Sequence, residues 1–196
     1  MANYKLMKRS LDVSLSTLAV FCLLPVFLIV SLLIYFKMGR PIIYRQYRPG
    51  INCTPFLMYK FRTMIENNDA QILNDEDRIT KLGTFLRSTS LDELPELLNV
   101  IKGDMSLVGP RPLLMEYISS YTEFQMRRHE VLPGISGLAQ VKGRNNLSWY
   151  SKFRYDVLYV NNIGLKMDII ILLLTIKVVM LRSGFRSYGE SKKFGN

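Results

Sequence analysis

The sequence predicts a mostly α-helical fold with one small β-hairpin, held at a membrane by an N-terminal re-entrant helix and by interfacial amphipathic helices. Three patterns carry that expectation. Residues 13–36, VSLSTLAVFCLLPVFLIVSLLIYF, contain no charge. Apolar residues recur at helical spacing in 91–101, 113–130 and 149–160. Two short runs rich in β-branched and aromatic residues flank a Pro-Gly signal at 49–50. With 196 residues and 48% apolar content, the chain suffices for one modest core beside a membrane segment.

The uncharged stretch is long enough for a membrane helix, which needs about 20 residues. It exceeds the apolar core of a secretory signal, roughly 7–15 residues, and no small-residue cleavage site closes it. Lys5, Lys8 and Arg9 precede it, and Lys37, Arg40, Arg45 and Arg48 follow it. Positive charge on both flanks places both ends on one side of the bilayer. Pro25, near its centre, bends the helix and frees a carbonyl, which favours re-entry over a simple span.

Residues 37–65 hold six basic side chains and no acid, which suits anionic headgroups or an anionic substrate. Within them, 42–48 and 55–64 read as two strands joined by PGINCT, with Lys60 and Arg62 on one face because they lie two apart. The charge reverses at 66–77, where five acids lack calcium-loop spacing and read as a solvated surface. RITKLGTFLR at 78–87 follows, with Gly83 as a turn and Arg87 arriving just before the central segment.

That segment, 86–112, concentrates the reactive side chains. Leu91, Leu94, Leu97, Leu98 and Ile101 mark one face of a helix of about three turns, closed by Gly103. Pro95 is tolerated only near a helix start, so Asp92 is the expected N-cap; Ser90 with Glu93 as a capping box is the alternative register. Either register puts Asp92 and Glu93 at the positive end of a helix dipole, where a carboxylate stays ionised. Simple capping is the ordinary reading of such a pair. Arg87 upstream, Arg111 between the two prolines of GPRP, and Lys102 and Asp104 in the intervening turn point beyond it. Guanidinium forks match phosphate oxygens, and a carboxylate beside bound phosphate can act as nucleophile or hold a divalent metal.

Downstream, 113–130 reads as an amphipathic helix ending in Arg127, Arg128 and His129, the sole histidine, expected on its surface. LPGISGLAQVKGRN at 132–145 reads as a glycine-rich connecting loop, and Asp156 in the next helix, on spacing alone, as an exposed acid. The apolar tail 163–181, interrupted by Lys177, is expected in the membrane interface, and the last dozen residues are expected to be loosely ordered.

A net charge of +10 implies an anionic partner: nucleic acid, acidic lipid or a phosphorylated substrate. Cys22 lies inside the apolar stretch, so a bridge to Cys53 is improbable and a reducing compartment is implied. No Cys/His metal cluster and no Walker or Rossmann pattern occurs.

KFRTM at 60–64, LDELPELLNVIKGDMSLVGPRPLL at 91–114 and LPGISGLAQVKGRN at 132–145 resemble the bacterial sugar transferase family, specifically its small monotopic phosphoglycosyl transferases. The likeness runs over nearly the whole chain. It implies a monotopic membrane protein at the cytoplasmic face of the bacterial inner membrane, with residues 1–36 as the re-entrant membrane helix and 37–196 as a cytoplasmic catalytic domain. It further implies transfer of a sugar 1-phosphate from a UDP-sugar to polyprenol phosphate with Mg²⁺, in contact with anionic membrane lipids and no nucleic acid. Carried over residue by residue, it makes Asp92 and Glu93 catalytic and metal-binding, with the division of labour open. Lys60 and Arg87 become phosphate ligands, and Pro110, Arg111, Pro112 and Asp156 nucleotide-binding. One departure is Leu24, where the family often has a serine before the proline. The same residues also suit a membrane lipid-phosphate or nucleotide-sugar hydrolase, or a non-catalytic basic membrane anchor.

Overall fold

The computed structural model describes residues 2–65, 78–143, 146–181 and 194. The acidic stretch 66–77 and the last dozen residues, Phe194 excepted, lie outside the described residues.

The uncharged stretch forms two helices, α1 (Ala2–Cys22) and α2 (Leu24–Met38), bent by 62° at their junction. Pro25 sits in the first turn of α2, where a missing N–H is tolerated. The break therefore falls where the proline predicts it. Among the described residues no single helix is long and apolar enough to cross a membrane; the bent pair passes that test only together.

The polar first turns of α1 face inward. Arg9 donates to the carbonyls of Val100 (2.6 Å) and Ile101 (2.9 Å). Asp12 accepts from Ser106 Oγ (2.7 Å) and the Leu107 N–H (3.3 Å). Tyr4, Lys8 and Tyr159 all donate to the buried carboxylate of Asp168. A buried carboxylate is tolerable only when so supplied with donors.

The predicted hairpin forms from β1 (Ile43–Pro49) and β2 (Pro55–Phe61), antiparallel, with Tyr44 opposite Lys60 and Arg48 opposite Phe56. β2 stops at Phe61, short of the expected 64. Arg62 is buried and donates to the carbonyls of Met38, Pro41 and Met64, so it holds the α2 exit and does not share partners with Lys60.

α3 (Lys81–Ser88) is capped by Thr80, which accepts from the Gly83 N–H at 2.9 Å. Gly83 is thus a helix residue and not the expected turn. Its role is close approach: a Cβ there would stand 1.9 Å from the Thr63 carbonyl oxygen.

The central helix begins later than expected. Leu91–Glu93 make one 3-10 turn after Ser90, which is left-handed at φ 57° and caps nothing with its side chain. Pro95 is the N-cap of α4 (Glu96–Lys102), so neither Asp92 nor Ser90 is. Gly103 ends α4 at φ 101° as predicted. The buried face also differs. Glu96, Leu97, Asn99 and Val100 turn inward while Leu98 is 43% exposed. The cause is Asn99, whose amide donates to the Leu57 carbonyl (2.8 Å) and accepts from the Tyr59 N–H (3.0 Å), fixing α4 against β2.

β3 (Ser106–Val108) pairs in parallel with β4 (Gly134–Ser136), a pairing the sequence reading missed. The glycine-rich run is therefore mostly regular structure, β4 followed by a short helix at Leu138–Lys142, rather than a connecting loop. Its glycines permit close approach of two backbone segments: a Cβ on Gly134 would lie 2.0 Å from the Gly109 nitrogen. Residues 113–130 do not form one amphipathic helix. A 3-10 segment at Met115–Ser120 ends at Tyr121 in extended conformation. Thr122 and Gln125 then form a capping box that starts the short α5 (Glu123–Met126) afresh. The turn Arg127–Glu130 buries Arg128 and His129. His129 is accordingly no surface residue: its Nδ1 lies 3.2 Å from the Gly50 carbonyl, and burial beside Arg128 pulls its pKa down to about 4. α6 (Leu138–Lys142), α7 (Trp149–Asn161) and α8 (Leu165–Met180) complete the fold.

Gly83→Ala should lower stability by about 1–3 kcal/mol, the usual range for overpacking, because the opposing atom is backbone and cannot rotate away. A lower thermal midpoint would show it. An unchanged or raised midpoint would mean that α3 does not press on Thr63.

Candidate active site

Four elements converge on the turn between α3 and α4. β2 supplies Lys60, the end of α3 supplies Arg87, the 3-10 turn supplies Asp92 and Glu93, and the segment after β3 supplies Pro110–Pro112. Arg87 is aimed by its Nε–H donating to Thr63 Oγ1 at 2.9 Å.

Glu93 is clamped. Its Oε1 accepts from Lys60 Nζ at 2.8 Å and from Arg111 Nη2 at 2.6 Å. Burial alone would raise its pKa, yet Arg111 and Lys60 hold it well below the usual carboxylate range. Asp92, one residue earlier, makes no hydrogen bond within the described residues and is 8% exposed. Burial and the Glu93 charge push its pKa up to about 6, with Lys60, Arg111 and Arg87 opposing. Both carboxylates therefore carry charge at neutral pH, but Asp92 holds its charge against its surroundings and without donors. One pair of adjacent acids thus occupies two environments, the usual route to two chemical roles.

A third carboxylate, not singled out from the sequence, completes the cluster. Glu96 is 2% exposed, and its Oε1 lies 3.0 Å from Lys60 Nζ. Burial raises its pKa to about 7. The sequence did hold a signal: once Pro95 starts the helix, Glu96 stands three and four residues before the buried Asn99 and Val100 and must share their face. Lys60 sits between Glu93 and Glu96, and together these carboxylates overcome its burial and raise its pKa.

Asp156 is joined to this cluster only indirectly. It is 4% exposed and accepts from Arg128 Nε (3.1 Å) and Nη2 (2.8 Å), so it is not the exposed acid its spacing suggests. Burial pushes its carboxyl up, with Arg128 opposing. Arg128 Nη2 also donates to the Arg111 carbonyl at 2.6 Å. The pair thereby fixes the backbone of the Pro110–Arg111–Pro112 turn while the Arg111 side chain reaches Glu93. Pro110 and Pro112 stiffen that turn, and Arg48 Nη1 donates to the Pro112 carbonyl at 3.4 Å. Arg48 and Arg128 were not singled out from the sequence, where each is one basic residue among many.

Among the described residues no group of three or more His, Cys, Asp or Glu side chains is placed to hold a metal ion. Lys60 fills the space between two of the acids. Asp92, with no hydrogen-bond donor among the described residues, is the carboxylate left available to a cation shared with substrate phosphate, the way Mg²⁺ is commonly bound.

Adjacent acids under a cover of lysine and arginine suit an enzyme that handles a phosphorylated substrate, and comparison with known proteins supplies the class. The bacterial sugar transferase family matches residues 3–182, and the chain belongs to it. It is 47% identical to the uncharacterized sugar transferase EpsL of Bacillus subtilis (strain 168), over 92% of this chain and 91% of that protein. It is 40% identical to the exopolysaccharide production protein ExoY of Sinorhizobium fredii, over 90% and 87%. The UDP-glucose:undecaprenyl-phosphate glucose-1-phosphate transferase of Klebsiella pneumoniae is 39% identical over 86% of this chain, which spans 39% of that longer protein. The chain is therefore a sugar-phosphate transferase.

Asp92→Asn should raise the thermal midpoint at pH 7. A folded-state pKa above the unfolded value means that stability is lost as pH rises from about 4 through about 6, by up to about 3 kcal/mol. An amide escapes that loss, so the gain should shrink as pH falls and vanish at about pH 3, where the native carboxyl is protonated in both the folded and the unfolded state. A midpoint lowered at pH 7 would mean that Asp92 is a stabilising ion-pair partner.

Proposed function

We propose that the chain transfers a sugar 1-phosphate from a UDP-sugar to polyprenol phosphate at the cytoplasmic face of the bacterial inner membrane, through a phosphosugar ester on Asp92. The observation that carries this reading is the asymmetry of the acid pair. Glu93 accepts from both Lys60 and Arg111, whereas Asp92 is buried, ionised and without a hydrogen-bond donor among the described residues. A carboxylate in that state is a nucleophile poised beside cations.

In the first step an oxygen of Asp92 attacks the β-phosphorus of the UDP-sugar. The bond from that phosphorus to the bridging oxygen breaks, and UMP leaves with the electron pair. The sugar 1-phosphate remains as an acyl phosphate. In the second step an oxygen of polyprenol phosphate attacks the same phosphorus. The Asp92 ester bond breaks, the carboxylate is restored and a polyprenyl diphosphosugar departs. Arg87 and Lys60 offset charge on the transferring phosphoryl group, and Arg111, fixed through Arg128, faces the nucleotide side. Asp92 and substrate phosphate would hold Mg²⁺, which supplies further charge neutralisation when bound. Glu93 orients Lys60 and Arg111.

The membrane reading rests on apolar surface. Phe21, beside the bend, is 72% exposed and Phe36, near the end of α2, 78% exposed, and Leu173 and Met180 on α8 are 62% and 77% exposed. Exposed apolar surface on this scale marks a membrane or a partner, and the basic residues on both flanks favour anionic lipid. The relatives' names supply the acceptor: undecaprenyl phosphate is the acceptor named for the transferases of Klebsiella pneumoniae and Escherichia coli.

Incubation with radiolabelled UDP-sugars and Mg²⁺, without polyprenol phosphate, should leave label on the native protein and none on Asp92→Asn. Full labelling of the variant would remove Asp92 as nucleophile; release of free sugar phosphate without any polyprenol phosphate would make the enzyme a hydrolase. The free-enzyme kcat/KM should fall below about pH 6 as Asp92 takes up its proton. A profile flat from pH 5 to 7 would contradict an ionised Asp92 as attacking group.

A further inference from the structure

Beside the acid pair lies a cleft of about 310 Å³, its open mouth included, lined by Arg48, Met58, Lys60, Glu96, Arg111 and Leu113. Two polar atoms in its lining are buried and have no hydrogen-bond partner: Glu96 Oε1, an acceptor, and Arg48 Nε, a donor. Glu96 Oε1 lies 3.0 Å from Lys60 Nζ as an ion pair, at an angle outside hydrogen-bonding geometry. Arg48 spends its Nη1 on the Pro112 carbonyl and its Nη2 on Gln46 Oε1 (2.6 Å), which leaves Nε over. Buried groups of this kind lose free energy unless a ligand or water completes them.

The chemistry of the lining narrows the ligand. Phosphate is already provided for on the Asp92 side of Lys60, where Arg87 and Lys60 face the acid pair, so the cleft on the far side of Lys60 falls to another part of the donor. A metal ion between Glu93 and Glu96 is excluded by the ammonium already there. What satisfies an orphan acceptor and an orphan donor together is a neutral group that both gives and takes hydrogen bonds, and a hydroxyl does so. Met58 and Leu113 offer apolar wall to the carbon face of a ring.

We propose that this cleft seats the pyranose of the donor, with Glu96 accepting from one sugar hydroxyl and Arg48 Nε–H donating to a hydroxyl, so that these two residues set which sugar is transferred. The proposal rests on the transferase reading for its ligand. It assigns the part of the donor that the acid pair does not touch. A site built to bond particular hydroxyls discriminates sharply against donors that present them otherwise.

The test is calorimetric binding, in detergent with Mg²⁺, of UDP-glucose, UDP-galactose, UDP-N-acetylglucosamine and UMP to the native protein, Glu96→Gln and Arg48→Lys. Glutamine keeps the shape but can donate as well as accept; lysine keeps the charge but lacks the Nε–H in the fork. Both variants should weaken the preferred UDP-sugar by about 10- to 100-fold, the range for one hydrogen bond to a charged group. They should narrow the spread among the three donors, and Glu96→Gln, which leaves the Arg48 bond to the Pro112 carbonyl in place, should keep UMP within about twofold. A uniform loss across all three donors in both variants, a loss for UMP in Glu96→Gln parallel to that for the donors, or no change would overturn the sugar assignment. Failure of the transferase reading is separable. It would appear as native protein that binds these donors yet releases no UMP from any of them when polyprenol phosphate is supplied.

Discussion

The ammonium of Lys60, held between Glu93 and Glu96, is the interaction around which the rest of the molecule is arranged. Removing Glu93 would strip Lys60 and Arg111 of the acid they share, and removing Lys60 would leave two buried acids facing each other, so Lys60 and Glu93 are retained together or not at all. The arrangement needs a strand and a helix start within about one side chain of each other. Asn99 provides that by bonding the backbone of β2 on both sides of Met58, at the Leu57 carbonyl and the Tyr59 N–H. Lys60 is the next residue along. The register of the hairpin against α4 therefore decides whether the charge cluster exists.

Within that cluster, the reactivity proposed for Asp92 rests on an imbalance of donors. Glu93 receives two cationic donors on one oxygen, while Asp92 receives long-range attraction from Lys60, Arg111 and Arg87 but no hydrogen bond from the described residues. Stability would be better served by giving Asp92 a donor or making it neutral. Keeping an uncompensated carboxylate in the turn is a familiar cost of an active site. The left-handed Ser90 that opens the turn is a second departure from local preference at the same place, costing on the order of 1 kcal/mol. The helix-dipole argument for an ionised Asp92 does not apply as expected, since α4 starts after it. The charge is maintained by side-chain cations instead.

Much of this was legible in the sequence, and the gaps have physical causes. The hairpin, the break at Pro25, the Gly103 cap and the approach of Arg111 to the acid pair follow from punctuation residues and from a motif too dense in charge for a solvated surface, whereas Lys60 was marked only by the family resemblance of KFRTM. The parallel pairing of β3 with β4 was not legible. Three-residue strands carry no periodicity, and glycines that permit backbone contact look like those that permit loops. Glu96 was missed because helical spacing was counted from Leu91, whereas Pro95 moves the start and with it the inward face. His129 and Asp156 misled for a common reason. A polar residue at helical spacing is read as exposed unless its partner is known, and Arg128, the neighbour of both, is distant from Asp156 in sequence.

The N-terminal helix supplies the last link between fold and site. Arg9 bonds the two carbonyls that end α4, where a cation also complements the negative end of the helix, and Asp12 bonds Ser106 and Leu107 at the start of β3. Asp168 ties the same helix to α7 and α8 through Tyr4, Lys8 and Tyr159. The uncharged half of α1 continues from these residues to the bend at Leu23 without an intervening linker. In the proposed membrane arrangement the depth at which the bent pair sits therefore sets the height of α4, and with it the height of Asp92. A lipid phosphate is confined to the headgroup layer, so a nucleophile on a flexible tether would meet it rarely. A nucleophile bolted through Arg9 and Asp12 to the anchoring helix is held at one level, where the acceptor can reach it.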